Sequence, residues 1–373
     1  MYQDFELLVD GKNAFNEIIE CIRNSKKSIY INMFIFRDDE IGKKIIQELL
    51  IKANEGVKVY ISVDRFAASL EYAEEYKLSF FHRKKRFSDL LKARVLNLQY
   101  KNISVKGKTI SNTNELYNEV MNHSNIIVDK NKDKKDHSKY YIFDDEVLIL
   151  GGINIEDKEN GQDIIGRVYQ DYMVKLHGRS YVISLKEKLN KNINNNSEYF
   201  FGINLKDPIK VFELKKIYID MIKNSTKELL IIMPYFQYLK DVSKEILKAC
   251  RRGVSVKILA PMNPNFQKST NMYCFKRLLK ESNNQIELYL SNKMIHTKAI
   301  LTDQLITIGS CNIANKSFKV LSELNLFIKN TDSLIKQKFI ESVLENINTS
   351  KRITNYQEIK YNKFKAFIEN FFV

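Results

Sequence analysis

Cysteine is scarce and scattered: Cys21, Cys250, Cys274 and Cys311 are the only four in 373 residues, and no two form a Cys-x-x-Cys pair. That spacing argues against a zinc site and a disulfide framework and makes reduced thiols the expectation. A basic leader is missing too, since the chain opens Met1-Tyr2-Gln3-Asp4-Phe5-Glu6, and no apolar run approaches the roughly 20 residues that cross a bilayer. The longest runs, 29–36 and 229–236, are strand-sized. The expected location is therefore cytoplasmic, or peripheral on the inner face of the cell membrane. Acidic residues are also in deficit, 45 against 60 Lys and Arg, for a formal net charge of +15. An excess of that sign favours nucleic acid, an anionic membrane surface or a phosphorylated substrate. A hydrophobic fraction of 44% supplies the cores of two domains.

What is present is a repeat. Residues 13–24 carry Phe15, Ile18, Ile19 and Ile22 at helical spacing, followed by a strand over 28–36, a helix over 41–54, Gly56 as its C-cap and a strand over 57–64. The same order returns from Val211: a helix through Ile222, a strand over 229–236, a helix over 242–250, Gly253 and a strand over 254–260. Asn24, Ser25, Met33 and Phe36 recur as Asn224, Ser225, Met233 and Phe236. Lys191 to Ser197 has linker composition, which sets domains of 1–195 and 196–373. Extra chain between Asp64 and Ile126 holds the basic and aromatic run Phe80 to Phe87, open to reading as a phosphate- or headgroup-binding patch or as a solvated helix face, and a loop near 106–114. The terminal segment 361–373, aromatic among lysines, reads either as amphipathic at a membrane or as packed on its own domain.

The second repeat lies inside the first. His137-Ser138-Lys139 is followed by Asp144 and by Gly151-Gly152-Ile153-Asn154; His296-Thr297-Lys298 is followed by Asp303 and by Gly309-Ser310-Cys311-Asn312. Period two places each His and Lys on one face of a strand, where an unpartnered ammonium is a poor core residue and suits an anion. This duplicated His-x-Lys-x-x-x-x-Asp with trailing Gly and Asn resembles the phospholipase D superfamily. The resemblance implies two similar α/β sandwich halves, each a mixed or mostly parallel sheet flanked by helices, related by a pseudo-twofold axis that brings His137 and His296 into one pocket.

A phosphodiester repels nucleophiles, so a site for it needs cations for the non-bridging oxygens, a nucleophile, and an acid for the leaving alkoxide. Lys139 and Lys298 supply charge, Asn154 and Asn312 supply amide donors, and one imidazole attacks while the other moves protons, a covalent route without metal or cofactor. By analogy His137 is the nucleophile and His296 the acid/base. Asp171 and Glu323 match the family's acidic partners, which hold an imidazole's other nitrogen; Asp144 and Asp303 brace the motifs.

The layout around the motifs, with Phe34-Ile35-Phe36-Arg37-Asp38-Asp39-Glu40-Ile41-Gly42, Gly151 to Ile155, and the segments 273–279 and 286–289, resembles bacterial cardiolipin synthases. On that resemblance the expected reaction joins two phosphatidylglycerols into cardiolipin and releases glycerol. The partners are then an anionic phospholipid and a membrane surface, and a monomer suffices because both motifs lie in one chain. Ala314 and Lys316 stand where such synthases carry Asp and Arg, and the chain has no tryptophan where they often place one near Asp171; both departures bear on acceptor choice. The alternatives are a metal-independent nuclease, which the charge fits equally well, a hydrolase releasing phosphatidic acid, and a noncatalytic membrane scaffold.

Overall fold

The computed structural model describes residues 5–372 except 76–78, 84–86, 98–113, 132, 163–165, 191–197, 207–209 and 330–333. The expected loop near 106–114 falls almost entirely outside the described residues, and the expected linker wholly so. The chain begins β1 (Phe5–Val9), α1 (Asp10–Asn24), β2 (Ser28–Met33), α2 (Glu40–Asn54), β3 (Lys58–Val63), α3 (Arg65–Glu75), α4 (Phe87–Asn97), α5 (Glu115–Asn122) and β4 (Ile126–Asp129). It continues through β5 (Tyr140–Phe143), β6 (Val147–Gly151), β7 (Tyr169–Gln170), β8 (Tyr172–His177) and α6 (Arg179–Leu189). Then come β9 (Tyr199–Leu205), β10 (Val211–Phe212), α7 (Leu214–Asn224), β11 (Glu228–Ile232), α8 (Lys240–Arg251), β12 (Ser255–Pro261), α9 (Lys268–Glu281) and β13 (Glu287–Ser291). The last are β14 (Met294–Ile295), β15 (Lys298–Thr302), β16 (Leu305–Gly309), α10 (Asn315–Lys319), β17 (Glu323–Lys329), α11 (Leu334–Asn348), β18 (Lys351–Ile353) and α12 (Lys363–Phe372).

Two mixed sheets result, in the orders β1-β8-β6-β5-β2-β3-β4 and β10-β9-β17-β16-β15-β11-β12-β13-β18. Among the described residues of these two sheets, only β2-β3-β4 and β11-β12-β13 run parallel, their successive strands joined by helical crossovers, and β7 and β14 form a separate two-stranded parallel sheet. The sheets are therefore mixed, with antiparallel pairs in the majority. Phe15, Ile18, Ile19 and Ile22 of α1 pack with α2 residues on one face of the first sheet, and α7, α8 and α9 cover the second sheet in the same way. The other faces meet in a third core, where Leu148, Leu150 and Val174 share a cluster with Ile306, Ile308, Leu324 and Leu326. Helices α6 and α11 flank this layer through Leu185 and Phe339. Sheet faces its pseudo-symmetric mate, so the ends of equivalent strands converge.

Two readings change. The runs 28–36 and 229–236, expected as single strands, leave the sheets after Met33 and Ile232. Phe36 then bridges Ile155 and Phe236 bridges Ile313, which turns these tails toward the loops after each motif. Within the Phe80 to Phe87 run, residues 84–86 lie outside the described residues; Phe80 and Phe81 are core residues against Phe36, Arg83 is buried with its Nη1 on Asp38 Oδ2 at 2.5 Å, and Phe87, at the start of α4, is exposed.

Asp144 and Asp303 close the ends of β5 and β15 remote from the histidines. Asp144 accepts from the backbone N–H of Lys26, Lys27 and Ser28 at 2.7–2.9 Å, and Asp303 accepts from those of Thr226 and Lys227 at 2.8 and 3.1 Å. Each carboxylate thus ties a motif strand to the helix-to-strand turn of its neighbour. Partial burial works to raise Asp303, but these donors outweigh it and hold the carboxyl at about 2, below its ordinary 3.8. The folded pKa is depressed, so the brace adds stability above the ordinary carboxylate range and loses it as pH falls toward 2. Asp303→Asn should lower the thermal midpoint by a few degrees at pH 7, and the gap from the parent should narrow between pH 4 and 2 in calorimetric scans. A pH-independent gap would show that charge is not what the turn uses.

Candidate active site

The site is built by exchange between the halves. The segment before each histidine pairs in parallel with the segment before the other half's carboxylate: β14 with β7, Ile295 opposite Gln170, and Asp136 opposite Ser322. His296 N donates to Gln170 O at 2.7 Å and His137 N to Ser322 O at 2.8 Å. The next residues on each pair of segments therefore stand side by side. His137 Nδ1 lies 3.0 Å from Glu323 Oε2, and His296 Nδ1 lies 3.1 Å from Asp171 Oδ2. In sequence order Asp171 follows His137 and Glu323 follows His296; in space the partners are swapped.

The motif glycines make room for this. A Cβ at Gly151 would sit 2.2 Å from Tyr172 O, and one at Gly309 2.3 Å from Leu324 O, so neither strand could approach its neighbour with a larger residue. At Gly152 a Cβ would meet Asp171 Oδ2 at 2.3 Å. Ser310 occupies the same place in the second motif, where the longer Glu323 leaves space for a hydroxyl that donates to Oε2 at 2.5 Å.

Lys139 and Lys298 are 1% and 0% exposed, and each Nζ donates to the carbonyl of its own motif histidine. Lys298 Nζ also lies 3.4 Å from Asp171 Oδ2, and Lys139 Nζ sits 5.3 Å over the Phe34 ring. Both histidines, Asn154 and Asn312 line one cavity of about 140 Å³, walled by Phe34 and Tyr235. The side-chain oxygens of Asn154 and Asn312 are buried without a protein donor.

The environments of the two imidazoles differ. Burial, aided by Lys139 and Lys298, outweighs Glu323 and pushes His137 down to about 4. Burial and Lys298 act on His296 in the same sense, yet two carboxylates on its Nδ1 overcome them and raise it above the ordinary value. The second of these is Glu159, whose Oε1 lies 2.8 Å from Nδ1 and whose own proton affinity is raised by burial. Asp171, despite burial, is held below the usual carboxylate range by Lys298 and His296. Lys139 is pushed down to about 7 by burial and by Lys298.

Sequence reading did not find Glu159. It lies in the charged run Glu156-Asp157-Lys158-Glu159, whose other carboxylates have structural partners: Glu156 takes the buried Arg37 at 2.7 Å, and Asp157 accepts from Ile41 N at the start of α2 at 2.9 Å. Nothing in the spacing singles out the fourth member. Glu159, Asp171 and His296 present ligand atoms within 4.8 Å of one another, the one metal-capable group among the described residues, and the Lys298 ammonium already places a cation against it. His82 and His123 bond to Lys130 O at 2.7 Å and Asn54 Oδ1 at 3.0 Å, away from the site.

Comparison with known proteins completes the picture. The chain is 28% identical over 382 residues to the cardiolipin synthase of Clostridium perfringens strain 13, spanning 94% of this chain and 72% of that protein. It is 24% identical to the major cardiolipin synthase ClsA of Bacillus subtilis strain 168, over 95% of this chain and 70% of that one. Among solved structures, a phosphatidylserine synthase from Haemophilus influenzae superposes with a TM-score of 0.69 at 15% identity, covering 100% of this chain and 93% of that chain, and so shares the fold. A polyphosphate kinase from Porphyromonas gingivalis gives a TM-score of 0.57 at 12% identity, covering 99% of this chain and 52% of that chain. The family profile described as cardiolipin synthase, PLD-like domain, matches residues 18–191 and 218–346. With both histidine motifs inside those spans, this chain belongs to the cardiolipin synthase family of phospholipase D-like proteins and is an enzyme of the phospholipase D phosphodiester-transfer type.

Proposed function

We propose that this enzyme transfers a phosphatidyl group from one phosphatidylglycerol to the hydroxyl of a second, yielding cardiolipin and glycerol. The observation that carries the reading is a pair of histidines from the two halves lining one cavity, each with Nδ1 against a carboxylate of the opposite half, in a chain of the cardiolipin synthase family. His137, pushed down to about 4 by burial, is neutral at working pH and has a free lone pair, while two carboxylates on His296 favour its protonated form.

The residues divide the work accordingly. His137 Nε2 attacks phosphorus while Glu323 holds the Nδ1 proton and the ring orientation. The bond from phosphorus to the glycerol oxygen breaks, and His296 Nε2 gives that oxygen its proton. Neutral His296 then takes the proton of the acceptor hydroxyl, whose oxygen displaces His137 from phosphorus and restores the starting state. Lys139, Lys298, Asn154 and Asn312 hold the non-bridging oxygens, so charge developing in each transition state meets donors already in place. Asp171 and Glu159 are positioning residues for His296. Donor and acceptor are alike in this reaction, which suits a site whose two halves are alike.

His137→Ala and His296→Ala should each cut turnover by at least about 10³-fold, and near-parental activity in either would overturn the paired-histidine mechanism. Glu159→Gln removes one of the two charges that raise His296, so the alkaline limb of the kcat–pH profile should move to lower pH while the acid limb stays. An unmoved alkaline limb would leave Glu159 a packing role only. The assignment as a whole is tested with phosphatidylglycerol vesicles and DNA in parallel, with EDTA present. Cardiolipin plus glycerol at an undiminished rate is expected. Phosphatidic acid would make water the acceptor, cleaved DNA with intact lipid would make the enzyme a nuclease, and a strict need for divalent metal would contradict the residue-only mechanism.

A further inference from the structure

The terminal helix α12 is oriented against the usual pattern. Its contact with α9 is made by Ala366 and Glu369, 3% and 1% exposed, whereas Phe364 and Phe367 are 73% and 71% exposed. The Glu369 carboxylate accepts from Thr270 N at 2.8 Å, in the first turn of α9, where unpaired N–H groups and the helix dipole favour an anion. Thr270 Oγ1 donates to Ala366 O at 3.4 Å. These bonds fix the rotation of α12 and hold both phenyl rings outward. Helix α4 repeats the arrangement: Ala93 is buried, while Phe87 and Leu91, one turn apart, are 83% and 57% exposed.

Both helices pack on segments that reach the active-site cavity. Phe266 lines that cavity and also packs against Ala93 of α4 and Ala73 of α3. The next residue, Gln267, lines the cavity as well and caps α9 three positions before Thr270, the anchor of α12. Phe66 and Leu70 of α3 complete this wall. The exposed charges of the stripes are basic, with Lys92 and Arg94 on α4 and Lys360 and Lys363 at α12. Their described acidic neighbours are engaged: Asp89 pairs with Arg65 at 2.6 Å, and Glu369 is buried on α9.

We propose that the outward faces of α4 and α12 form a two-sided rim that docks the cavity mouth on an anionic phospholipid bilayer. The phenyl and leucyl side chains enter the boundary between headgroups and acyl chains, and the flanking lysines and arginine meet lipid phosphates. A phosphodiester at the headgroup level then reaches His137 without leaving the membrane. The partner deepens the phosphatidyltransferase reading and rests on it for its purpose, though docking is measurable without turnover.

The chain contains no tryptophan, so Phe367→Trp introduces a single reporter. Its emission should shift to the blue on adding phosphatidylglycerol vesicles and not with pure phosphatidylcholine. In co-sedimentation, the full-length Phe364→Ser/Phe367→Ser and Phe87→Ser/Leu91→Ser variants should each bind anionic vesicles roughly ten-fold more weakly, with turnover of short-chain phosphatidylglycerol below its micellar concentration unchanged. Unshifted emission, or vesicle binding that survives all four substitutions, would overturn the rim. So would a parental dimer that the serine variants convert to monomer, since the stripes would then be covered by a second copy. Docking without cardiolipin formation would keep the rim and overturn the phosphatidyl transfer; cardiolipin formation on vesicles by the serine variants at the parental rate would do the reverse.

Discussion

Two short parallel pairings hold the active site together: β7 with β14, and the bridge of Asp136 with Ser322. They are the backbone contacts that put a histidine of one half beside a carboxylate of the other, and few residues are involved in either. Their strength comes from elsewhere. The face-to-face packing of the two sheets buries a continuous apolar layer, and that layer fixes the pairings in register. A histidine supported from its own half would remain supported if the halves shifted. Here the ring orientation and the joining of the halves are one constraint, so the site is complete only when the inter-sheet core is formed.

The same core accounts for charges that would otherwise be costly to bury. Lys139 and Lys298 lie nearly without solvent, Lys298 against the Asp171 carboxylate and Lys139 within the field of Glu323 and Asp171. Part of the cost is evident in Lys139, whose proton is loosened to about 7. A bound phosphodiester returns a negative charge to the vicinity of both ammoniums and favours their protonated state. The unliganded site is therefore poised for an anion, and substrate binding relieves an electrostatic imbalance that folding alone leaves in place.

Much of this was legible in the sequence, for identifiable reasons. The chemistry dictates residue type at His137, Lys139 and Asn154 and at their second copies, and a duplicated motif at matched places in two matched halves resists coincidence. The helices and strands around the crossovers follow from periodicity, since α1, α2, α7 and α8 each present one apolar face to a sheet. The swap of Asp171 and Glu323 was not legible, because it is set by which segments pair across the halves, and local pattern carries no information on that. Glu159 was hidden beside two other carboxylates, Glu156 and Asp157, with structural duties. The role of the Phe80 to Phe87 run stayed open in the sequence because basic and aromatic residues alternate there; Arg83 pairs inward with Asp38 beside the buried rings of Phe80 and Phe81. The ends of the strands over 28–36 and 229–236 were misplaced because their apolar character continues after the ladder stops.

The departures from symmetry bear on the two imidazoles. A strictly duplicated site would give its two histidines the same surroundings, and here the surroundings differ. Gly152 against Ser310, Asp171 against Glu323, and the carboxylate of Glu159 all fall on the same axis of difference. On one side a short acid and a second carboxylate crowd His296; on the other a long acid shares its oxygen with a serine hydroxyl and leaves His137 with one partner. Burial and the two lysines lower the proton affinity of His137 while two carboxylates raise that of His296, so the fold's duplication supplies matched side chains and a few substitutions make the two imidazoles unlike.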